Sequence, residues 1–571
     1  MNVVKKIKKE FFNAISNLFP EKSLDFDSVQ FTLNVDKNRQ NFGDLSCNFA
    51  LVLAGKLQLN PKEIALKIVN AFNSSLFDKS FKDYIEKIEI AGPGFLNLTF
   101  TSKAWHEIVK QFFESKENFF KQDNDQSKVK YLIEFVSANP TGPLHLGHGR
   151  GGIIGDTLAR VLNFLGHNAQ KEFYINDAGN QIQKLGESLK IRCQQELGLV
   201  VELPEDGYKG EYMIDLAKLA VKEFGQKLLD KDDKFFSDYA KEIMLDLQKQ
   251  DLKDYGIEFD KWFSERTLHD SGQVEKVILE LKEKDLVYEN EGALWFRSST
   301  FGDDKDRVVR KSTGELTYIA ADIAYHKNKF ERDFDKLIDI LGQDHHGYVN
   351  RLKATVDALG FDSNNLDVVL YQLVSIKNAG QVERMSKRAG KFTTLREIID
   401  TVGKDVARFF YLHRKAEAHL EFDLAVALKK TDENPVFYIQ YAYVRINSIL
   451  KKAELELEFK DFVNNLINNK LSKNEVDICL NSLCQQELDV IKKLLAFGEI
   501  LISIEKTYQT HLLSYYMVEL ANIFHAYYSG NKVIDKENIN LSKARMFTLN
   551  LVNMVFVCGL DLLGVEKPEH M

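Results

Sequence analysis

The stretch from Tyr131 to Gly166 decides the fold, and it reads YLIEFVSANPTGPLHLGHGRGGIIGDTLARVLNFLG. Its first part, 131–136, is an apolar run followed by turn-forming residues, which predicts a β-strand. From 147 onward the apolar positions recur every three or four residues, and Gly166 suits the end of a helix. A strand, a glycine-rich turn and a helix in this order are typical of a parallel α/β sheet.

The same alternation continues on both sides of a long interruption. Strands are predicted at 171–175, 337–341 and 368–376, and helices at 180–197 and 346–359. Because parallel strands need crossover helices, this order predicts a doubly wound parallel sheet of the Rossmann, nucleotide-binding type. The interruption, 198–310, is charged and helical with a short β-like end at 293–297, which indicates an insertion.

These patterns predict a multidomain α/β protein with three domains. Residues 1–118 mix helix and strand, and form a small α+β domain. Residues 119–428 form the parallel-sheet domain, which a polar linker at about 116–130 joins to the first. Residues 429–571 step by three and four throughout, which predicts an all-α bundle. Its longest uncharged apolar stretch, 546–560, is shorter than the roughly 20 residues that cross a bilayer, so we expect a buried helix.

The composition excludes several classes of protein. The 571 residues are 44% hydrophobic and 28% charged, an ordinary globular balance that excludes a disordered or fibrous chain. The net charge of −8 excludes a uniformly basic protein, although it leaves a local basic face open. Five cysteines without a Cys-x-x-Cys pair indicate neither a zinc ribbon nor a disulfide framework. No apolar segment follows the lysine-rich start, so we expect no signal peptide, no membrane contact and a cytoplasmic location.

The turn after the first strand carries the chemistry. His145 and His148 lie three apart at a helix start, so both can face one ligand, and Gly147 and Gly149 let that ligand approach the backbone. Helix N-termini favour anions, so we expect a phosphate chain held by backbone amides and two imidazoles. The turn matches neither the Walker A pattern nor the dinucleotide fingerprint. A pair of structural histidines, or half of a metal site, is the alternative interpretation.

His145-Leu-Gly-His148 resembles the HIGH signature of class I aminoacyl-tRNA synthetases. The segment 134–155 and the following Tyr174-Ile-Asn-Asp-Ala-Gly-Asn-Gln181 resemble the arginyl-tRNA synthetase family in particular. Further segments that resemble it, in the same order, are 43–48, 91–97, 204–212, 434–447 and 562–571. The resemblance covers nearly the whole chain. It implies a ligase that activates L-arginine with ATP to arginyl-adenylate and transfers it to the 3′-terminal adenosine of tRNA(Arg), often only once tRNA is bound.

The resemblance assigns the ATP chemistry to two signatures and a second strand end. It implies that His145, His148 and Lys387 stabilise the phosphate charge. Lys387 lies in Arg384-Met-Ser-Lys-Arg-Ala-Gly-Lys391, which resembles the mobile KMSKS loop with arginines at its first lysine and last serine. The implied ATP-binding residues are Pro140, Thr141, Gly142, Gly147, Gly149, Gly342, His345, Met385 and Ser386. The alternatives are a solvated basic turn at 384–391 and helix capping or packing by Asp344 and His346.

Arginine specificity is expected to come from carboxylates. A guanidinium cannot lose its proton and presents five donors, so a partly buried one needs an anionic partner. Glu134 on the first strand and Asp322, four residues after Tyr318 on one helical face, fit that need. The resemblance implies an arginine site of Glu134, Ser137, Asn139, His148, Tyr318, Asp322 and Gln343. A strand-end salt bridge is the alternative for Glu134.

The resemblance also implies contacts with tRNA at both ends of the chain. The candidates are Asn41, Phe42 and Asn97 in the first domain, and Tyr438, Tyr441 and Arg445 in the last. Tyrosine can stack on an unpaired base and arginine can hold phosphate, although packing of the bundle explains any one tyrosine as well. We expect ATP to enter with Mg²⁺ as a substrate complex, no tightly bound metal or organic cofactor, no DNA partner, and a monomer.

Two alternatives remain open on the sequence alone. One is a class I synthetase for another amino acid. A cysteine enzyme should carry a zinc cluster, and a glutamate enzyme should carry arginines in place of Glu134 and Asp322. The other is a non-catalytic tRNA-binding relic of the fold, which predicts damage to the histidines or to Lys387. Both signatures retain these residues.

Overall fold

The computed structural model describes residues 3–20, 25–35, 42–74, 77, 79–121, 128–378, 381–383 and 394–571. Its first domain contains α1 (Val3–Leu18), β1 (Phe31–Leu33), β2 (Leu45–Cys47), α2 (Phe49–Leu57), α3 (Pro61–Asn73), α4 (Lys79–Lys82), β3 (Ile85–Ala91), β4 (Phe95–Phe100) and α5 (Ser102–Ser115). The strands form one antiparallel sheet in the order β1-β2-β4-β3. Helix α1 packs its apolar face inward, with Ile7 and Phe11 fully buried. This is the small α+β domain that the sequence predicts.

The segment after α5 differs from the predicted polar linker. Lys116–Phe120 forms a 3-10 turn, and both of its phenylalanines are buried. Phe120 packs edge-on against Phe112 of α5 and against Phe497 of the last domain, with ring centroids 5.2 and 5.1 Å apart. Charged residues on both sides of Phe119 and Phe120 make this segment look like a polar linker in the sequence. In the structure the two phenylalanines are buried and the segment packs between domains.

The second domain contains two runs of elements. The first is β5 (Lys130–Phe135), α6 (Leu146–Leu165), β6 (Asn168–Ile175), α7 (Asn180–Glu196), α8 (Glu211–Phe224), α9 (Asp233–Asp254), β7 (Lys261–Ser264), α10 (Arg266–Asp270), α11 (Gln273–Glu283), β8 (Val287–Asn290), β9 (Ala293–Phe296) and β10 (Arg307–Arg310). The second is α12 (Tyr318–Phe330), β11 (Lys336–Gly342), α13 (Val349–Leu359), β12 (Leu366–Tyr371), β13 (Val374–Asn378), β14 (Gln381–Glu383), α14 (Leu395–Val402), α15 (Lys404–Leu412), β15 (Leu420–Asp423) and α16 (Leu424–Ala427).

Five of these strands form the doubly wound parallel sheet, in the order β12-β11-β5-β6-β7. The chain runs outward from β5 through β6 to β7, and returns to the other side of β5 through β11 to β12. The order therefore reverses between β5 and β11. In open α/β sheets the ligand crevice lies beyond the carboxyl ends of the strands at such a reversal. For this chain that point follows Phe135 and Gly342.

Two sequence expectations for this domain need correction. Residues 198–310 are not one helical insertion, because β7 within them pairs in parallel with β6 as an edge strand of the main sheet. The helical part is α8 and α9, packed on α7, and the later part adds the antiparallel sheet β10-β9-β8. The predicted strand 368–376 is two strands, since β12 ends at Tyr371 and β13 enters a separate sheet, β14-β13-β15. The mostly apolar run 368–376 gives no clear local sign of that change of sheet.

The last domain is the predicted helical bundle. Its helices are α17 (Pro435–Glu454), α18 (Lys460–Ile467), α19 (Lys473–Asn481), α20 (Gln485–Thr507), α21 (His511–Gly530) and α22 (Ile539–Leu563). By length and composition alone α22 could cross a membrane, with a mean hydropathy of 1.8, but 72% of its most apolar window is buried inside the protein. It is the buried core helix that the sequence predicts.

Buried charges join the three domains. The Arg408 guanidinium of α15 donates to Asp156 of α6 (2.6 Å) and to the carbonyl oxygen of Leu563 at the end of α22 (2.8 Å). Burial alone would raise the Asp156 pKa, but the charges of Arg408 and its neighbours lower it to about 2. In the first domain, Asp44 pairs with Lys492 of α20 at 2.5 Å. The Arg408 contacts thus hold the last domain against the sheet domain, and the Asp44–Lys492 pair joins the first domain to the last.

Candidate active site

The two histidines form the N-terminal cap of α6. His145 is the cap residue, and its Nδ1 accepts the backbone N–H groups of Gly147 (3.1 Å) and His148 (3.4 Å). In return, His148 Nδ1 accepts the backbone N–H of His145 at 3.2 Å, and the rings stack with centroids 3.6 Å apart. Because each Nδ1 accepts a hydrogen bond, the ring proton belongs on Nε2. The cap therefore presents two Nε2–H donors at a positive helix end.

Gly149 and Gly151 serve the packing of α6, which corrects the expectation that Gly149 is open to a ligand. Gly149 is buried, and a Cβ there would lie 2.8 Å from Leu395 Cδ1. At Gly151 it would lie 2.7 Å from the Tyr371 ring. Only Gly147 of the two predicted ATP-binding glycines in α6 remains partly exposed. These glycines let α6 lie close to the residues around it, as a glycine in a helix interior commonly does.

A strained turn links β5 to the site. Val136 and Ser137 have φ values of +67° and +41°, in the left-handed region that side-chain-bearing residues rarely adopt. The Ser137 hydroxyl compensates by donating to Glu134 Oε1 (2.9 Å) and accepting the backbone N–H of Tyr174 (3.1 Å). Ser137 is thus held between the carboxyl ends of β5 and β6, where the fold places the crevice.

Glu134 forms the salt bridge that its alternative interpretation describes. Its carboxylate pairs with the fully buried ammonium of Lys329 in α12, which also donates to Asp339 of β11 at 2.7 Å. Burial lowers the Lys329 pKa, but the charges of Asp339 and Glu134 outweigh it and raise that pKa overall. Glu134 therefore has a direct cationic partner in the protein, which it shares with Asp339.

Asp322 and Glu265 carry negative charge that no lysine or arginine among the described residues balances by a direct ion pair. Asp322, half-buried in α12, accepts a hydrogen bond from the Tyr348 hydroxyl, and Glu265 is buried just after β7 with His269 at 3.4 Å. Burial raises the pKa of both carboxyl groups. Both lie by the end of β6: the Glu265 backbone N–H donates to the carbonyl oxygen of Ile175 at 3.0 Å, and the Tyr174 ring lies 4.3 Å from Tyr325, three residues after Asp322 in α12. Burial, then the charges of Glu265 and Asp322, raise the pKa of the Tyr174 hydroxyl. An anionic recess at the strand ends suits a guanidinium.

The remaining predicted substrate residues surround the same strand ends. Tyr318 begins α12 and is 67% exposed, so its ring is open to a ligand. Gln343 follows β11 in a 3-10 turn and is partly exposed, while His345 is exposed in that turn, edge-on to Tyr348. Asn139 is exposed and donates its amide to Gln181 Oε1 at 2.9 Å. The turn at 343–348 also shows that the predicted helix 346–359 begins at Val349.

The predicted ATP loop, Pro140-Thr-Gly142, is held from the inserted helices. The Tyr212 hydroxyl of α8 donates to the carbonyl oxygen of Thr141 at 2.8 Å. The Gln248 amide of α9 donates to the carbonyl oxygens of Asn139 (3.0 Å) and Gly142 (2.8 Å). These contacts fix the backbone between the strained turn and the histidine cap.

The KMSKS-like residues Met385, Ser386 and Lys387 lie outside the described residues, as do Arg384 and Lys391. The described chain stops at Glu383 in β14 and resumes at Thr394, which bridges to His145. Both ends of the segment are therefore anchored on described structure, and one end lies beside the histidine cap.

The predicted tRNA residues separate into different groups. Asn41 lies outside the described residues, and Phe42 is 42% exposed. Asn97 is a correction, because it is only 3% exposed and its Oδ1 accepts the Ser46 hydroxyl at 2.7 Å inside the sheet. The resemblance implied a contact with tRNA, whereas the side chain makes a buried hydrogen bond.

The C-terminal candidates form an aromatic and cationic cluster. Tyr438 and Tyr441 flank the His525 ring, with centroids 4.7 and 5.6 Å away. The Arg445 guanidinium lies 5.6 Å from the Tyr441 ring and 5.3 Å from the Tyr528 ring. Tyr441 remains 42% exposed, so one ring of the cluster faces solvent.

Sequence reasoning missed Glu265, Lys329 and Gln248. Glu265 directly follows the short strand β7, which was hidden in the predicted insertion. Lys329 lies about one helical turn after Tyr325 and is fully buried, which composition does not reveal. Gln248 lies among many polar residues of α9. Among the described residues, no group of three or more His, Cys, Asp or Glu side chains is placed to hold a metal.

Comparison with known proteins gives three consecutive family matches. The class I (R) tRNA synthetase catalytic domain matches residues 108–416, the DALR anticodon binding domain 439–571, and the arginyl-tRNA synthetase N-terminal domain 5–100. An arginine–tRNA ligase of Caldanaerobacter subterraneus subsp. tengcongensis is 44% identical over 580 positions, covering 100% of both chains. One of Nitratidesulfovibrio vulgaris is 41% identical, covering 99% of this chain and 100% of that one.

The fold agrees with a solved structure. Thermus thermophilus arginyl-tRNA synthetase superposes with a TM-score of 0.76, covering 99% of this chain and 100% of that chain, at 19% identity. The histidine cap, the doubly wound sheet and the full-length relatives lead to one conclusion: the chain belongs to the arginyl-tRNA synthetase family.

Proposed function

We propose that this protein activates L-arginine with ATP and transfers the arginyl group to the 3′-terminal adenosine of tRNA(Arg). The observation that carries the proposal is the anionic recess of Asp322 and Glu265 at the strand ends that also hold the histidine cap. A cationic side chain bound there places its α-carboxylate toward the phosphate-binding helix end.

The proposed chemistry is positioning with charge stabilisation. ATP enters as its Mg²⁺ complex, a substrate rather than a resident cofactor. The arginine α-carboxylate attacks the α-phosphate and pyrophosphate leaves, so no covalent enzyme intermediate forms. The Nε2–H groups of His145 and His148 donate to phosphate oxygens as charge builds. Lys387 of the KMSKS-like segment adds an ammonium to the same phosphates. Gly342 and His345 hold the adenosine.

The arginine side chain is assigned to Asp322, Glu265 and Tyr318. Asp322 and Glu265 supply the charge, while the exposed Tyr318 ring covers the aliphatic part. Glu134 acts chiefly through Ser137, because Lys329 already balances its charge. Asn139 and Gln343 are placed to hold the α-amine and α-carboxylate. His148 belongs to both subsites.

We assign tRNA to two surfaces. Phe42 marks one in the first domain, and Tyr438, Tyr441 and Arg445 mark the other, where the exposed Tyr441 ring can stack on an unpaired base. In the second step the arginyl group passes from the adenylate to the 3′-terminal adenosine of tRNA. Arginyl-tRNA and AMP then leave. We propose a cytoplasmic monomer, in keeping with a translation enzyme.

The test is ATP–pyrophosphate exchange with each amino acid in turn, with and without total tRNA. Exchange with arginine alone supports the proposal, and dependence on added tRNA supports coupled activation. Exchange with a different amino acid would return Asp322 and Glu265 to a purely structural role. Folded protein that binds tRNA but exchanges with no amino acid would identify a non-catalytic relic.

A further inference from the structure

Three helices hold the Asn139–Gly142 loop: α7 and the inserted helices α8 and α9. Its carbonyl oxygens at Asn139 and Gly142 accept from Gln248 of α9, and the one at Thr141 accepts from Tyr212 of α8. The Asn139 amide reaches Gln181 of α7. The loop contains Pro140 and is followed by Pro143, neither of which has a backbone N–H to give. Side chains of these helices, rather than backbone hydrogen bonds, therefore hold the loop in place.

The side-chain amide of Gln248 is explained by the hydrogen bonds that its N–H groups donate. It is 1% exposed, and its Nε2 serves two carbonyl oxygens at once. Its Oε1 is buried and has no hydrogen-bond partner in the part of the chain that the structure describes. A buried acceptor without a partner costs stability, so packing alone favours an apolar residue of the same shape. The amide is explained by the two bonds that it donates to the loop.

Tyr212 shows the same division between ring and hydroxyl. A Cβ at Gly142 would lie 3.4 Å from its ring, in ordinary contact, so the ring lines one side of the loop. Its hydroxyl adds the bond to Thr141. Burial raises the pKa of this hydroxyl to about 12, so it remains a donor across the working pH range.

We propose that Gln248 and Tyr212 are positioning residues for ATP: they hold the backbone of the Asn139–Gly142 loop, so the placement of α8 and α9 sets the affinity for ATP. The proposal rests on the assignment of Pro140-Thr-Gly142 to ATP under the proposed function. Neither side chain needs to touch the nucleotide. The inserted helices thereby act on the first substrate through three carbonyl oxygens, and any partner that moves them changes ATP binding.

The test uses Gln248→Leu and Tyr212→Phe in the full-length protein, with ATP–pyrophosphate exchange measured in the presence of tRNA. The KM for ATP is expected to rise about tenfold in each variant. In Tyr212→Phe, whose hydroxyl bonds Thr141 alone, the KM for arginine should stay within twofold. In Gln248→Leu the KM for arginine should rise as well, but less than that for ATP, because this amide also holds the backbone of Asn139. The matched controls are Gln250→Leu, on the exposed side of α9, and Tyr239→Phe, whose hydroxyl bonds Glu223 within the inserted helices. Both controls should leave the two KM values unchanged. Equal rises of both KM values in Tyr212→Phe would overturn the proposal in favour of a general structural role.

Hydrogen–deuterium exchange separates this proposal from the one beneath it. With ATP added to the unaltered protein, the peptide that contains 139–148 is expected to gain protection, and Gln248→Leu is expected to need more ATP for the same protection. An unchanged ATP dependence in the variant, with protection intact in the parent, overturns the positioning proposal alone. No protection in the parent overturns the ATP assignment of the loop and this proposal with it.

Discussion

The backbone nitrogen of Leu395 donates a hydrogen bond to the carbonyl oxygen of Leu144 at 2.8 Å, and the adjacent Thr394 bridges to His145. The first described residues after the KMSKS-like segment, Thr394 and Leu395, are therefore joined to the residues at the start of the histidine cap. At its other end the segment leaves β14, which pairs with β13. The segment between these two anchors carries Lys387, and replacing this lysine tests its proposed role at the phosphates.

Lys387→Ala is expected to lower kcat for aminoacylation by about 100-fold or more, since removing one charge-stabilising donor from a developing phosphate charge has effects of that order. The KM for arginine should change little, because the recess for its side chain lies elsewhere. The measurement is steady-state aminoacylation at saturating tRNA. Lys276→Ala, on the exposed side of α11, is the control for loss of one positive charge. Near-normal turnover of Lys387→Ala would remove this lysine from the mechanism.

Gly155→Ala is expected to destabilise the catalytic domain. A Cβ at this position would lie 2.3 Å from the Phe135 ring, which is buried at the end of β5. Overpacking of this kind costs about 1–3 kcal/mol, more than the ~0.5–1 kcal/mol that alanine gains over glycine inside a helix. Thermal unfolding should show a lower midpoint.

The matched control is Gly55→Ala in α2, where a Cβ would meet nothing within 4 Å. It carries the same gain in helix propensity without the clash, so its midpoint should stay the same or rise. If both alanines shift the midpoint equally, the contact between α6 and β5 has room that the structure does not show.

Local pattern predicted the elements around β5 because each has a complete signal within its own residues. The apolar run, the turn and the helical spacing of 131–166 needed no distant partner, and α6 ends at Leu165 with Gly166 as its cap. The strand β7 has only four residues, so its sheet membership depends on its pairing with β6. Periodicity over four residues cannot carry that information.

The site divides in the same way. The motif residues His145 and His148 were predicted, since their spacing alone puts them at one helix end. The partner of Glu134 was not predicted, because Lys329 lies 195 residues away in the chain. Likewise the burial of Asn97 follows from its Ser46 contact across 51 residues. Contacts between residues far apart in the sequence decide which charged and polar side chains already have a partner in the protein. A side chain with such a partner is less available to a substrate.

Asp322→Asn is expected to raise the KM for arginine by tenfold or more and to leave the KM for ATP within twofold. It removes one of the two carboxylates that lack a direct cationic partner among the described residues, while keeping the shape that accepts from Tyr348. Glu265→Gln should act in the same direction. Glu134→Gln should do less to the KM for arginine, since Lys329 already balances that carboxylate. A larger effect from Glu134→Gln than from Asp322→Asn would assign the guanidinium to Glu134.

Arginine affinity should also depend on pH through this recess. Burial raises the pKa of Asp322 and of Glu265, so both carboxyl groups gain protons at a higher pH than exposed ones do. The guanidinium stays charged throughout. The KM for arginine should therefore rise as the pH falls below neutrality, while the KM for ATP follows a flatter course. In Asp322→Asn the rise should be smaller, and an identical profile would exclude Asp322 as its source.

The interface between α15 and α21 should make stability depend on pH. His413 packs there with its ring 5.2 Å from Phe409 and 4.8 Å from Tyr515. Burial first, then the charges of Arg414 and His511, lower its pKa from 6.5 to about 4. The folded protein thus holds this ring neutral where the unfolded chain protonates it. Its contribution to stability is complete above about pH 6.5 and is lost as the pH falls toward 4.

His413→Phe keeps an aromatic ring and cannot titrate, so between pH 7 and pH 5 its melting temperature should fall a few degrees less than that of the parent protein. The exposed His570, changed to Gln, should behave like the parent. Calorimetry at the two pH values measures the difference, and equal falls in the parent and in His413→Phe would show that this ring is not the group that titrates.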